Sequence, residues 1–281
     1  SYDHSVPPHR RPLDETSWAW LRGDEGDVGV ERVMRALTPA VLRFRIGQLS
    51  ATNKLPDLPE KGRQDPVGST LSVIRSVAWA AQYLGGLTLP ALYIAHKDDG
   101  GILAPIASES TVVFGREILS GRSLPELAFL TGRHLAMRQP KFELVVHMKS
   151  IDELSACFLA ALKLVLGSAP PAGPLSKTVS TLASVLAKQL TKEEHAELKA
   201  AITAFSNDGG QADLRRWVTG VKRSATRAGF VLCGDLPTAV ALLRSSCVTD
   251  LSEEEIEEHV FDLCRFAVSG AYLKISKAMA K

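Results

Sequence analysis

The stretch SLPELAFLTGRHLAMRQ, residues 123–139, combines a helix start with an apolar stripe. Ser123 and Glu126 fit the capping box, in which the hydroxyl accepts from a backbone N–H and the glutamate reaches back to the cap residue. The apolar residues that follow recur at three- and four-residue spacing, which is typical of a helix with one buried face. The stretch therefore predicts a capped helix over residues 123–138.

The same signal marks further helices in the second half of the chain. Three more pairs precede apolar-periodic runs: Ser150 with Glu153, Thr191 with Glu194, and Ser252 with Glu255. Residues 151–166 are apolar nearly all round, which predicts a central helix. Nearly everything beyond residue 120 is therefore expected to be helical.

Strand signals are confined to one region. Residues 91–95, 102–107 and 111–114 are short β-type runs separated by turn-forming residues. They predict a small antiparallel β-meander at about residues 90–115, packed on a helical body. The expected fold class is α+β and predominantly helical, with residues 1–27 as an extended N-terminal arm and residues 28–281 as a single domain.

Composition narrows the classes of function. The chain has 281 residues, 45% of them hydrophobic, and a formal net charge of +2, so no strong basic bias points to nucleic acid. No apolar run reaches the length of about 18 residues that a membrane-spanning helix needs. The four cysteines have no C-x-x-C spacing and are expected to be buried free thiols, which fits a cytoplasmic location.

Three elements in a fixed order carry a resemblance to a known family. They are TVVFGREILSG (111–121), SLPELAFLTGRHLA (123–136) and, much later, TRAGFVLCGDLPTAV (226–240). This order resembles the minimal gluzincin zinc metallopeptidases related to the CAAX prenyl proteases, over roughly residues 88–245. In that family a helix carries H-E-x-x-H, with two zinc histidines and a glutamate base, and a later helix adds a glutamate ligand.

The resemblance assigns each of these roles to a residue that cannot fill it. Arg133 stands at the first zinc histidine, His134 at the general base and Met137 at the second histidine. Lys222 stands at the glutamate ligand and Thr226 at the aspartate four residues on. Arginine and lysine repel a divalent cation, and a thioether is a poor zinc ligand. We therefore expect no catalytic residues, no metal ligands and no cofactors.

The resemblance implies a metallopeptidase-like domain without catalytic activity, kept for protein interaction or scaffolding. The chain also resembles C-terminal domains of large bacterial tetratricopeptide-repeat proteins. That resemblance implies a protein partner and a longer multidomain protein. If the kinship holds, the helices over 123–138 and 212–229 lie side by side. The alternatives are an enzyme or sensor that binds a small anion through Arg133, His134 and Lys222, and an unrelated helical domain.

The two cations that replace zinc ligands need compensation if they are buried. We expect Arg133 and Lys222 to face water or to pair with acids such as Glu126 or Glu143, so that Arg133→Met costs no more than about 1 kcal/mol. For two histidines we favour a solvated helix face over metal binding. For one basic cluster we favour a solvated helix face over phosphate binding. These are His195, His259, Arg215, Arg216, Lys222, Arg223 and Arg227.

Overall fold

The computed structural model describes residues 11–95, 100–148, 150–168 and 170–280. In its first half, helices and short strands alternate. The elements are α1 (Glu15–Arg22), α2 (Val28–Ala51), β1 (Arg63–Gln64), α3 (Ser72–Tyr83), β2 (Ala91–Ala95), β3 (Ile102–Leu103), β4 (Thr111–Gly115) and α4 (Arg116–Leu119). Strands β2, β3 and β4 lie in the one region, about residues 90–115, where strands were predicted, but β1 lies outside it, in a stretch where no strand was predicted.

Among the described residues of the second half, helices joined by loops are present and no strand is. Its elements are α5 (Leu124–Met137), α6 (Glu143–His147), α7 (Ile151–Leu166), α8 (Ser176–Gln189), α9 (Lys192–Asn207), α10 (Leu214–Cys233), α11 (Leu236–Leu243), α12 (Glu253–Ala267) and α13 (Gly270–Ala280). The fold class is therefore α+β and predominantly helical, as predicted. No described helix is both long enough and apolar enough to cross a membrane.

The sheet differs from the predicted antiparallel meander. Its strand order is β1-β2-β4-β3, and the central pair, β2 and β4, is parallel, with Ala91 opposite Thr111. Only the outer pairs are antiparallel: β1 with β2, and β3 with β4. After β2 the chain passes to the far side of β4 before returning, so the sheet is mixed and β3 forms one of its edges.

The predicted extended arm over residues 1–27 is wrong for its second half, and residues 1–10 lie outside the described range. Asp14 caps α1 by accepting from the backbone N–H of Ser17. Trp18 is buried, and its indole Nε1 donates to the carbonyl of Leu84 at 3.3 Å. Helix α1 packs on α10 and α13, because Trp18 and Leu21 supply an apolar face that an extended arm could not bury as well.

The cap predictions succeed because capping is a local interaction. Ser123, Thr191 and Ser252 form complete capping boxes with their glutamates. Ser150 accepts from the backbone N–H of Glu153, while the Glu153 carboxylate pairs with Arg45 at 2.9 Å. Helix α7 begins and ends at the predicted residues and buries Leu154, Phe158 and Leu162, among others.

Helices α5 and α10 pack directly against each other, as the resemblance predicted. They approach closely at two glycines. A Cβ on Gly132 would lie 2.8 Å from Leu232, and one on Gly229 would lie 2.7 Å from the carbonyl oxygen of Phe129. Only residues without a side chain allow this separation of the two backbones. The crossing fixes the relative position of Arg133 and Thr226, which lie beside it.

Candidate functional site

A cleft of about 490 Å³ opens beside the crossing of α5 and α10. Helices α5, α6, α7 and α10 form its walls with strand β3 and the segment 247–250. The apolar lining residues include Ile102, Leu130, Met137, Val145, Val146, Met148, Ile151, Leu154, Val218 and Val248. Its charged or titratable side chains are Arg133, His134, Lys222, Cys247 and Asp250. The volume falls in the range of ordinary ligand sites.

Arg133 lies in the wall of this cleft and pairs with an acid from another part of the chain. Its Nη1 and Nη2 donate to Oδ1 and Oδ2 of Asp250 at 2.7 Å and 2.9 Å. Its Nε donates to the hydroxyl of Thr226 at 3.2 Å. Arg133 is 6% exposed, so of the two expected placements, facing water or pairing with an acid, the structure shows the second. All its nitrogens are bonded, which is the condition for burying a guanidinium.

Lys222 is also paired, one turn from Thr226 on α10. Its ammonium contacts Glu255 at 2.6 Å, at the capping box that starts α12. The acids suggested for these cations, Glu126 and Glu143, instead pair with Arg122 and Arg138, at 3.1 Å and 3.0 Å. Pairing was predicted correctly, but the partners were not.

Thr226 joins Arg133 to a second buried side chain. Its hydroxyl lies 3.1 Å from Nδ1 of His259 on α12 and donates within its own helix to the carbonyl of Lys222 at 3.0 Å. His259 is 2% exposed, so its predicted solvated position is wrong. Burial and the nearby charges of Arg133 and Arg223 lower the pKa of His259 to about 4. The imidazole is therefore neutral near pH 7.

His134 has no such arrangement of partners. Its Nε2 is buried and has no hydrogen-bond partner among the described residues, although the side chain lines the cleft. Burial, then the charges of Arg138 and Arg133, lower the pKa of His134 to about 3. The residue is therefore a neutral ring with one unused polar atom. An unsatisfied buried polar atom is costly, and this nitrogen is covered by the surrounding atoms.

Met137 lies one turn beyond Arg133 on α5. It is 6% exposed and forms part of the cleft wall. Within residues 11–95, 100–148, 150–168 and 170–280, no group of three or more His, Cys, Asp or Glu side chains is placed to hold a metal ion. Arg133, Met137 and Lys222 thus lie together at one cleft as the resemblance implies, with chemistry unsuited to a divalent cation.

The charges in the cleft compensate one another. Burial would raise the pKa of Asp250, but the charge and hydrogen bonds of Arg133, with the charge of Lys222, lower it to about 2. Asp250 is therefore ionised near pH 7 and balances Arg133, as Glu255 balances Lys222. Asp250 lines the cleft with Arg133 and Lys222, whereas Glu255 pairs with Lys222 from outside the lining.

Most of the other basic side chains on α10 also form ion pairs or hydrogen bonds. Arg223 pairs with Glu25 and Glu258, and Arg227 pairs with Asp262 while donating to the carbonyl of Leu21. Arg216 donates to the carbonyl of Asp24, whereas Arg215 is exposed. His195 is exposed on α9, as predicted. The cluster therefore ties α10 to the segments before α2 and after α11.

Sequence reasoning missed the segment 247–250 and the acids that it and α12 contribute. Asp250 and Glu255 lie 28 and 33 residues beyond Lys222, and nothing in SCVTDLSEEE indicates that they pair with buried cations. Gly101, at the start of β3, lies so close to this segment that a Cβ there would be 3.0 Å from the carbonyl oxygen of Cys247. Only the fold shows that this segment closes one side of the cleft.

The chain was compared with known proteins in three ways. It matches no model of a protein family, no curated protein and no solved structure. The resemblance to the gluzincin peptidases therefore rests on the residues and on the pairing of α5 with α10.

Proposed function

We propose that this chain is a metallopeptidase-like domain without catalytic activity that binds a segment of another protein in the cleft beside α5 and α10. One observation carries the proposal. An open, mostly apolar cleft persists at the place that the resemblance assigns to zinc, while the ligand positions are occupied by ion pairs.

The loss of hydrolytic chemistry follows from those side chains. A zinc peptidase needs a metal-bound water and a carboxylate base. Arg133 and Lys222 bring two positive charges to the ligand positions, each held by an acid. His134 cannot replace the base at this place, because its ring nitrogen has no activated water to deprotonate in the family mechanism.

The shape of the cleft supports protein binding. Strand β3 lines it and, within the part of the chain that the structure describes, pairs with β4 alone. An edge strand carries backbone donors and acceptors that an extended peptide can pair with. We further propose that the domain acts in the cytoplasm as part of a larger bacterial protein and needs neither nucleic acid nor a cofactor.

The proposal is tested with the purified protein in two steps. We expect no stoichiometric zinc by elemental analysis after zinc exposure and no cleavage of a mixed peptide library. We also expect selection from a displayed random-peptide library to enrich sequences that bind the wild type and not Val218→Trp, which fills the cleft. Val268→Trp places the same side chain on the exposed end of α12 and serves as the matched control. One zinc per chain with peptide hydrolysis would contradict the proposal.

The alternative is a sensor or enzyme that binds a small anion. Arg133, His134 and Lys222 do line the same cleft, which is the observation in its favour. Against it, both cations already contact carboxylates and His134 carries no charge near pH 7. Saturable stabilisation by millimolar sulfate or phosphate, lost in Lys222→Met, would support this alternative instead.

A further inference from the structure

A groove between α1 and α2 is lined by more cations than acids. It has a volume of about 540 Å³ and shares no lining residue with the cleft beside α5 and α10. One face of each helix reaches it, at the spacing i, i+3, i+4, i+7, and the segment 139–141 completes the wall. The lining residues are Glu15, Trp18, Ala19, Arg22, Val28, Glu31, Arg32, Arg35, Gln139, Pro140 and Lys141. Four of these side chains are cationic and two are acidic.

The most buried acid of the groove is shared by two cations. Glu31 is 4% exposed, and its Oε1 and Oε2 lie 2.8 Å from Nε of Arg22 and 3.5 Å from Nζ of Lys141. The ammonium of Lys141 also lies over the rings of Trp18 and Phe142, at 5.4 Å and 4.8 Å from their centroids. Aromatic faces attract a cation but bring no negative charge. One positive charge is therefore left over between Arg22, Lys141 and Glu31.

The titration of Lys141 agrees with incomplete compensation of its charge. Burial lowers the pKa of Lys141, and the charge of Arg22 acts in the same direction. The opposing effects of Glu31 and of the exposed Glu15 are smaller, so the pKa stays below its ordinary value. An anion bound beside the ammonium would favour the charged form.

Two arginines at the mouth of the groove are open to a ligand. Arg32 and Arg35 lie one turn apart on α2, and both are exposed. Arg35 pairs with Glu197 at 2.8 Å, but 59% and 49% of the two side chains are exposed, and such a pair is easily displaced. Arg32 has no carboxylate partner among the residues that the structure describes. Guanidinium groups match the oxygens of phosphates and carboxylates in pairs of hydrogen bonds.

From these observations we propose that the groove between α1 and α2 is a binding site for a small molecule that carries a phosphate or carboxylate group. Arg32 and Arg35 contact that group at the mouth, and Lys141 adds the unbalanced charge of the wall. The volume accommodates a ligand larger than the anionic group itself. This site is separate from the cleft of the proposed function and goes beyond it.

The test measures thermal unfolding of the full chain with two probes, inorganic pyrophosphate and citrate. At about 10 mM, at least one of them should raise the Tm by at least about 2 °C in a saturable manner, whereas sodium chloride at the same ionic strength should not. An effect of pyrophosphate alone assigns the site to phosphates, and an effect of citrate alone assigns it to carboxylates. The absence of a saturable effect of both probes would overturn the inference and leave the proposed function standing.

Variants locate the bound probe. Isothermal titration calorimetry should show binding weakened at least about ten-fold in the double variant Arg32→Met, Arg35→Met and in Lys141→Met. Arg75→Met removes an exposed cation from α3, outside the groove, and is the matched control. Circular dichroism shows whether each fold is retained. Unchanged affinity in the double variant would overturn the inference. Binding that is lost in Lys222→Met instead would place the anion in the cleft beside α5 and α10, and would contradict both this inference and the proposed function.

Discussion

Arg133 on α5 holds both carboxylate oxygens of Asp250, which lies 117 residues later in the chain, and uses its remaining nitrogen on Thr226 of α10. The pair connects α5, the helix that the resemblance matches to the zinc-binding helix of the peptidases, to the segment that precedes α12. It thereby fixes one wall of the cleft. The same side chains would have to separate before a metal or an anion could approach Arg133.

Removing the acid from this pair should destabilise the protein. In Asp250→Asn the guanidinium stays buried without its counter-charge, which is costly. Because 39% of the Asp250 side chain is exposed, water moderates the loss, and we expect a decrease of about 1–2 kcal/mol in the free energy of unfolding. Urea titration measures it. Arg244→Met, which breaks a fully exposed pair with Glu257, is the control and should change stability little.

The crossing of α5 and α10 should tolerate no added methyl group. Gly229→Ala would place a Cβ 2.7 Å from the Phe129 carbonyl oxygen and 3.1 Å from the backbone nitrogen of Arg133. Neither backbone can move without shifting a helix, so we expect a loss of at least about 2 kcal/mol. Gly47→Ala, inside α2 with nothing within 4 Å, should instead stabilise by up to about 1 kcal/mol. Loss of stability in both variants, or in neither, would contradict this account of the crossing.

The free energy of unfolding should decrease as the pH is lowered, at pH values above those at which carboxylates titrate. The pKa values of His134 and His259 are about 3 and about 4 in the folded chain, below the ordinary value of 6.5. The unfolded chain therefore binds more protons between pH 6.5 and pH 4, and stability decreases as the pH falls through that window. Two such groups give a slope of up to about 3 kcal/mol per pH unit.

Urea titrations at several pH values between 7.5 and 4.5 measure this slope. His259→Asn should reduce it by about half, because one proton-linked group is removed. His195 is exposed on α9, so His195→Asn is the control and should leave the slope unchanged. A slope that His259→Asn does not alter would contradict the burial of that ring as a neutral group.

Thiol reactivity should separate one cysteine from the other three. Cys264 is exposed on α12, whereas Cys157, Cys233 and Cys247 are buried. Burial raises the pKa of Cys157 to about 11 and that of Cys233 to about 12, which suppresses the reactive thiolate. With Ellman's reagent we expect one fast thiol in the native protein and four in urea. Cys264→Ser should remove the fast phase alone.

Local chemistry explains what could be predicted from the sequence. The starts of α5, α9 and α12 follow from capping boxes, whose interactions span three residues. Helix α7 follows from its apolar pattern and its cap at Ser150. The order of two motifs predicted that Arg133 and Thr226 lie close together. In the structure Nε of Arg133 lies 3.2 Å from Oγ1 of Thr226.

The features that could not be predicted from the sequence depend on contacts between residues far apart in the chain. Strand periodicity does not distinguish a parallel neighbour from an antiparallel one, so the mixed order β1-β2-β4-β3 was missed. The burial of His259 depends on which face of α12 meets α10, and its acidic neighbours suggested the opposite face. Cys264 was expected to be buried but lies on the exposed side of the same helix.

The hydroxyl of Thr226 has a consequence for the position of a single proton. Three groups surround its Oγ1, namely Nε of Arg133, the carbonyl of Lys222 and Nδ1 of His259. A hydroxyl has one proton to give, and the carbonyl can only accept. If the proton goes to Lys222, all three contacts are satisfied only when His259 carries its own hydrogen on Nδ1. The fold therefore selects the Nδ1-H tautomer of His259, which nitrogen chemical shifts would register directly.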